Sequence, residues 1–94
     1  MATTVRVKNG RIEEHQNGSL KRTYGTNIIA AATDGVLVAA VTRNGAVQEY
    51  ANGSLRRTYG SRAIGVQVSG GVVAVSTASG QTQEYQNGSL RRTY

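Results

Sequence analysis

Asn52-Gly53-Ser54-Leu55-Arg56-Arg57-Thr58-Tyr59 recurs 35 residues later as Asn87-Gly88-Ser89-Leu90-Arg91-Arg92-Thr93-Tyr94, and 35 residues earlier as Asn17-Gly18-Ser19-Leu20-Lys21-Arg22-Thr23-Tyr24. A strict period of this size marks a repeated supersecondary unit, which buries its apolar face only by stacking on its neighbours. Each copy opens on Asn-Gly, the pair that accepts positive φ at both centres of a two-residue hairpin turn. With Asn52-Gly53 as the turn, Tyr50 falls opposite Leu55 and Glu49 opposite Arg56, so one strand face carries an ion pair. The other face groups Tyr50, Leu55 and Tyr59 as an apolar cluster. The same register sets Glu14 against Lys21 and Glu84 against Arg91, pairs worth a few tenths of a kcal/mol each.

Working outward, Asn9-Gly10, Asp34-Gly35 and Asn44-Gly45 carry the same turn signal, and runs of about six residues rich in Val, Thr, Tyr and Ile separate the turns. These runs are strands, and no stretch has a helical period. A complete unit is four antiparallel strands, at 27–33, 36–43, 46–51 and 54–59, repeated at 62–68, 72–78, 81–86 and 89–94. The first two strands of a unit (Ile28-Ile29-Ala30-Ala31-Ala32 and Val36-Leu37-Val38-Ala39-Ala40-Val41) are small and apolar throughout, which predicts that both faces are covered. The last two are polar. A gradient from buried to wet across a four-stranded meander is that of a β-propeller blade from axis to rim.

The 94 residues contain no Cys, Pro, Trp or Phe and one His, so disulfides and thiolate metal sites are excluded and His15 cannot build a metal cluster alone. No metal or cofactor is expected. The net charge of +6 attracts anionic partners without specifying one. The N-terminus has no apolar core of signal-peptide length and no window suits a membrane span, which predicts a soluble, cytoplasmic protein without membrane contact. The Asn-Gly-Ser triplets are then turns rather than glycosylation sites.

The stretch 45–75 reads Gly-Ala-Val-Gln-Glu-Tyr-Ala-Asn-Gly-Ser-Leu-Arg-Arg-Thr-Tyr-Gly-Ser and, after Arg62, Ala-Ile-Gly-Val-Gln-Val-Ser-Gly-Gly-Val-Val-Ala-Val. It resembles NHL-type propeller repeats, in which an outer hairpin ending in Leu-Arg-x-Phe-Gly-Ser leads into inner strands; Tyr59 stands for the usual Phe. The resemblance implies propeller blades serving as ligand-, protein- or RNA-binding surfaces. The segment Glu-Tyr-x-Asn-Gly-Ser-Leu separately resembles the Tyr-Asp repeats of Rhs-type shells, which are shorter and lack Ala-rich inner strands.

The chain thus divides into a partial blade of three strands at 1–24 and full blades at 25–59 and 60–94, with Met1 aligned to Val36. Propellers close with roughly four to eight blades, so the expected ring is completed by homo-oligomerisation, as a homodimer of about six blades or a homotrimer of about nine, and the isolated chain is unstable. The inner strand is missing from the first blade.

No catalytic constellation is present. His15 occupies the place of Tyr50 and Tyr85 and is expected to pack there, Glu13 and Glu14 point to opposite strand faces, and Asp34 is a turn residue. No enzyme activity is expected. Eleven of the twelve positions 48–59 are identical in 83–94, against seven of the twenty-three before them. The outer hairpin is therefore the candidate for a recurring binding site, with Tyr24, Tyr59 and Tyr94 as stacking platforms and Arg22, Arg57 and Arg92 as donors; fitting of identical blades explains the same identity without a ligand. The predicted function is a non-enzymatic scaffold or binding module, lectin-like or protein-binding. The alternatives are a basic ring holding nucleic acid, disfavoured because the cations are scattered, and a designed or duplicated structural propeller without a ligand.

Overall fold

The computed structural model describes residues 3–94; Met1 and Ala2, where the first partial blade was expected to begin, lie outside the described residues. Among the described residues eleven antiparallel strands form three separate sheets and there is no helix, as the all-β expectation required. The first sheet is β1 (Thr3–Lys8), β2 (Arg11–Gln16) and β3 (Ser19–Tyr24). The second is β4 (Ile28–Thr33), β5 (Val38–Thr42), β6 (Val47–Ala51) and β7 (Ser54–Tyr59). The third is β8 (Ala63–Ser69), β9 (Val72–Thr77), β10 (Thr82–Gln86) and β11 (Ser89–Thr93). Every sheet is a meander in sequence order, so all strand pairing is between chain neighbours.

Asn9-Gly10, Asn17-Gly18, Asn52-Gly53 and Asn87-Gly88 have positive φ at both residues, the geometry a two-residue turn needs. Two other turns depart from the expectation. Asp34 stays at negative φ: Thr33 pairs with Val38 across a longer loop, and the Asp34 carboxylate accepts the N–H groups of Val36 (2.9 Å) and Leu37 (2.8 Å). Val36 and Leu37 thereby leave the strand, and Val36 is 84% exposed. At Asn44-Gly45 the loop opens at Thr42, whose N–H donates to the Ala46 carbonyl at 2.9 Å. The corresponding turn of the first sheet is the tighter Asn9-Gly10, with Lys8 opposite Arg11. That difference slips β1 by one residue relative to β5, which turns Val5 and Val7 inward and leaves Thr4, Arg6 and Lys8 exposed.

β5 explains why the sheets stack. All its residues are buried, with Val38 and Ala40 packing among Ile12, Tyr24, Ile28 and Tyr50 between the first and second sheets. Ala39 and Val41 pack among Val47, Ala63, Val73, Val75 and Tyr85 between the second and third. The period-2 alternation of one strand therefore serves two cores, and the small Ala side chains let the layers approach. β4 is less covered than its composition predicts: a bulge at Ile29 turns that side chain out, and Ile64 of β8 bulges in the same way. Backbone hydrogen bonds tie the layers at matching points, from Ile28 N–H to the Gly10 carbonyl at 2.9 Å and from Ala63 N–H to the Gly45 carbonyl at 3.0 Å.

Candidate functional site

The outer hairpins do not keep the plain register that the sequence suggests. Tyr50 pairs with Leu55, but Glu49 pairs with Arg57 and Val47 with Tyr59, so Arg56 is an extra, unpaired residue at a bulge. The bulge recurs after Glu14, which pairs with Arg22 and leaves Lys21 extra, and after Glu84, which pairs with Arg92 and leaves Arg91 extra. The expected Glu49–Arg56 and Glu84–Arg91 ion pairs are therefore replaced by Glu49–Arg57 at 3.3 Å and Glu84–Arg92 at 3.4 Å, beside Arg6–Glu13 at 2.8 Å. Leu55, expected in an apolar cluster with Tyr50 and Tyr59, is 51% exposed.

The bulge brings a carboxylate, a guanidinium and a phenol together. Glu49 is only 2% exposed, and its carboxylate accepts the Tyr59 hydroxyl and Arg57 Nη1. The Tyr24 hydroxyl donates to Glu14 Oε1 at 2.9 Å and the Tyr94 hydroxyl to Glu84 Oε2 at 2.6 Å. Burial, then the hydrogen-bonded carboxylate, raises the Tyr24 and Tyr59 pKa values well above the ordinary value for a phenol. For Tyr94 the Glu84 hydrogen bond is the larger cause of its raised pKa.

Of the predicted stacking platforms, two are occupied by the next sheet. Tyr24 meets Tyr50 with ring centroids 4.9 Å apart, and Tyr59 meets Tyr85 at 4.5 Å. Tyr94 is 66% exposed. The predicted donors act across the layers too: a Cβ placed on Gly53 would stand 2.9 Å from Arg22 Cδ, and one on Gly88 would stand 2.9 Å from Arg57 Cδ. The arginine stems of the preceding sheet thus lie against these turns, whose glycines are required by positive φ as at Gly18, where the space is open. His15 is half-buried at the place where Tyr50 and Tyr85 stand in the other sheets.

The same layering opens a cleft twice, one repeat apart. The first, about 380 Å³, lies between the first and second sheets and is lined by Glu14, Gln16, Lys21, Thr33, Val38 and Asn52. The second, about 290 Å³, lies between the second and third and is lined by Glu49, Ala51, Arg56, Arg57, Leu37 and Asn87. A shift of 35 residues carries Glu14 to Glu49, Gln16 to Ala51, Lys21 to Arg56 and Asn52 to Asn87, so the two are copies of one site. At the second cleft Asp34 bridges the layers, accepting the Gly71 N–H at 2.9 Å. Burial raises the Asp34 pKa, and the N–H groups of Leu37, Val36 and Gly71 outweigh this, holding its carboxyl below the usual carboxylate range. Neither cleft was foreseen from the sequence, because residues of two successive units line each. Among the described residues no group of three or more His, Asp or Glu converges as metal ligands would, and no helix is long and apolar enough to cross a membrane.

Fold and site together define a class: an internally duplicated all-β protein whose antiparallel sheets stack at the repeat period and enclose equivalent clefts. The family model of the Helicobacter pylori IceA2 protein matches the chain twice, over residues 1–47 and 43–94, and the chain belongs to that family. No curated protein matches the chain.

Proposed function

We propose that the chain is a non-enzymatic binding module made of propeller-type blades, with a recurring site in the clefts between successive sheets. The carrying observation is the repetition of one lining, with Glu, Lys or Arg, and Asn at equivalent places, in both clefts. Stacking needs the Tyr pairs and the arginine stems; it does not need Lys21 or Arg56, which stand at bulges and make no ion pair among the described residues. The ligand class is lectin-like, since clefts of this size suit one or two sugar rings better than a protein surface. The test is an NMR titration of the chain with neutral and acidic oligosaccharides, short peptides and single-stranded DNA. Amide shifts confined to Thr33, Asn52 and Asn87 and their neighbours support the reading. Steeply salt-dependent shifts with DNA alone, scattered over the basic surface, would replace it with the nucleic-acid alternative.

Completion of a ring by homo-oligomerisation is a second reading, favoured by Tyr94. Tyr24 and Tyr59 are each covered by a tyrosine of the following sheet, and Tyr94 carries the same Glu and Arg partners with its ring exposed. His15 of a second copy would fill the equivalent place. Such a seam is wet, because Val41 and Val47, which face the third sheet, correspond to Ser76 and Thr82 on that sheet's own outward side. The ring therefore forms by weak, concentration-dependent association. Solution mass measured over a concentration series tests it, and a mass of one chain at every concentration refutes it.

A further inference from the structure

The chemistry of the two clefts narrows the ligand. The carboxylates at their base are already engaged: Tyr24 donates to Glu14, Tyr59 and Arg57 donate to Glu49, and three backbone N–H groups donate to Asp34. Cationic donors remain. Lys21 lines the first cleft and Arg56 the second, each at a bulge that frees it from strand pairing. The remaining lining is neutral: the Asn52 amide with Val36 and Val38 in the first cleft, where the Thr33 hydroxyl is already donated to the Leu37 carbonyl, and the Asn87 amide with Leu37 and Ala51 in the second. An apolar floor with amide groups complements the C–H face and hydroxyls of a sugar ring, and a guanidinium or ammonium complements a carboxylate.

We propose that each cleft takes one uronic-acid residue of a carboxylated saccharide, with Lys21 receiving the carboxylate in the first cleft and Arg56 in the second. This rests on the binding-module reading above.

The experiment is calorimetric titration of the whole chain with an oligogalacturonate tetrasaccharide and with its methyl ester. The acid is expected to bind about tenfold or more tightly than the ester, since the ester removes a charge-assisted hydrogen bond at each site. Lys21→Gln and Arg56→Gln each weaken the acid about fivefold or more, and the double variant reduces it to the ester's affinity. Lys8→Gln, outside both clefts, leaves it unchanged. All three replaced side chains are exposed, so far-UV dichroism is expected to be that of the parent. Equal binding of acid and ester, or unchanged binding by the double variant, overturns the proposal. If the acid fails to bind while another ligand of the NMR series shifts Thr33, Asn52 and Asn87, the binding module stands and the carboxylated saccharide falls. If nothing shifts those residues, both fall.

Discussion

Tyr59 and Tyr85 form one ring pair across the second and third sheets, yet their hydroxyls serve different partners, and replacing each by Phe separates two kinds of hydrogen bond at constant packing. Tyr59 donates to the Glu49 carboxylate, which is 2% exposed, while Tyr85 donates to the neutral Gln83 Oε1 at 3.0 Å. Phe keeps the ring contact at 4.5 Å in both variants, so neither opens a cavity. Tyr59→Phe leaves a buried carboxylate oxygen without its donor and costs about 1.5 to 3 kcal/mol; Tyr85→Phe removes a neutral bond and costs about 0.5 to 1.5 kcal/mol. With a urea m-value of about 1.5 kcal/mol/M, the unfolding midpoint falls by roughly 1 to 2 M for Tyr59→Phe and roughly 0.3 to 1 M for Tyr85→Phe, at unchanged m. Both variants are compared with the parent at one protein concentration, because association shifts apparent stability. A Tyr85→Phe variant that loses as much as Tyr59→Phe would refute the claim that the bulge assembles a buried carboxylate site rather than an ordinary aromatic contact.

Gly45 and Gly80 both sit near φ +85°, so Ala costs each about 1 to 2 kcal/mol from the left-handed backbone. At Gly45 the new Cβ also meets the Arg62 backbone nitrogen at 2.9 Å, whereas Gly80 has open space, and Gly45→Ala is expected to melt several degrees below Gly80→Ala; equal melting temperatures would contradict the close layer contact. Asp34 supplies the pH prediction. Its folded pKa lies below the ordinary value of 3.8, so its contribution is full above that value and is lost as pH falls through the folded one. Asp34→Asn is expected to lower the urea midpoint at pH 7 and to flatten its decline below about pH 4; an unchanged decline would show that Asp34 does not tie Gly71 to the second sheet.

Local chemistry was legible and layer chemistry was not. Asn52-Gly53 and its copies announce tight turns because few residue pairs tolerate positive φ twice, and the strands between them follow directly. The bulge at Arg56 escapes a plain alternation count and needs no following sheet, because its copy at Arg91 forms with Tyr94 exposed; both bulges set a Glu carboxylate against the Arg and Tyr of its own hairpin. Asp34 escapes such a count too, its loop being shaped by its own carboxylate and by Gly71. Ile29 and Leu55 look like core residues by type, and bulges hold them at the surface. The identity of 48–59 with 83–94 reflects two demands at once: Tyr50, Arg57 and Tyr59 fit neighbouring layers, while Arg56 lines a cleft.

The second sheet is the keystone of the chain, because β5 lends one side to each core. Damage to the first or third sheet strips one hydrophobic layer and spares the other, whereas Val41→Ala or Val38→Ala weakens the middle sheet on which both layers rest. Unravelling should consequently begin from the flanks, with proteases nicking the terminal hairpins while the middle of the polypeptide still resists.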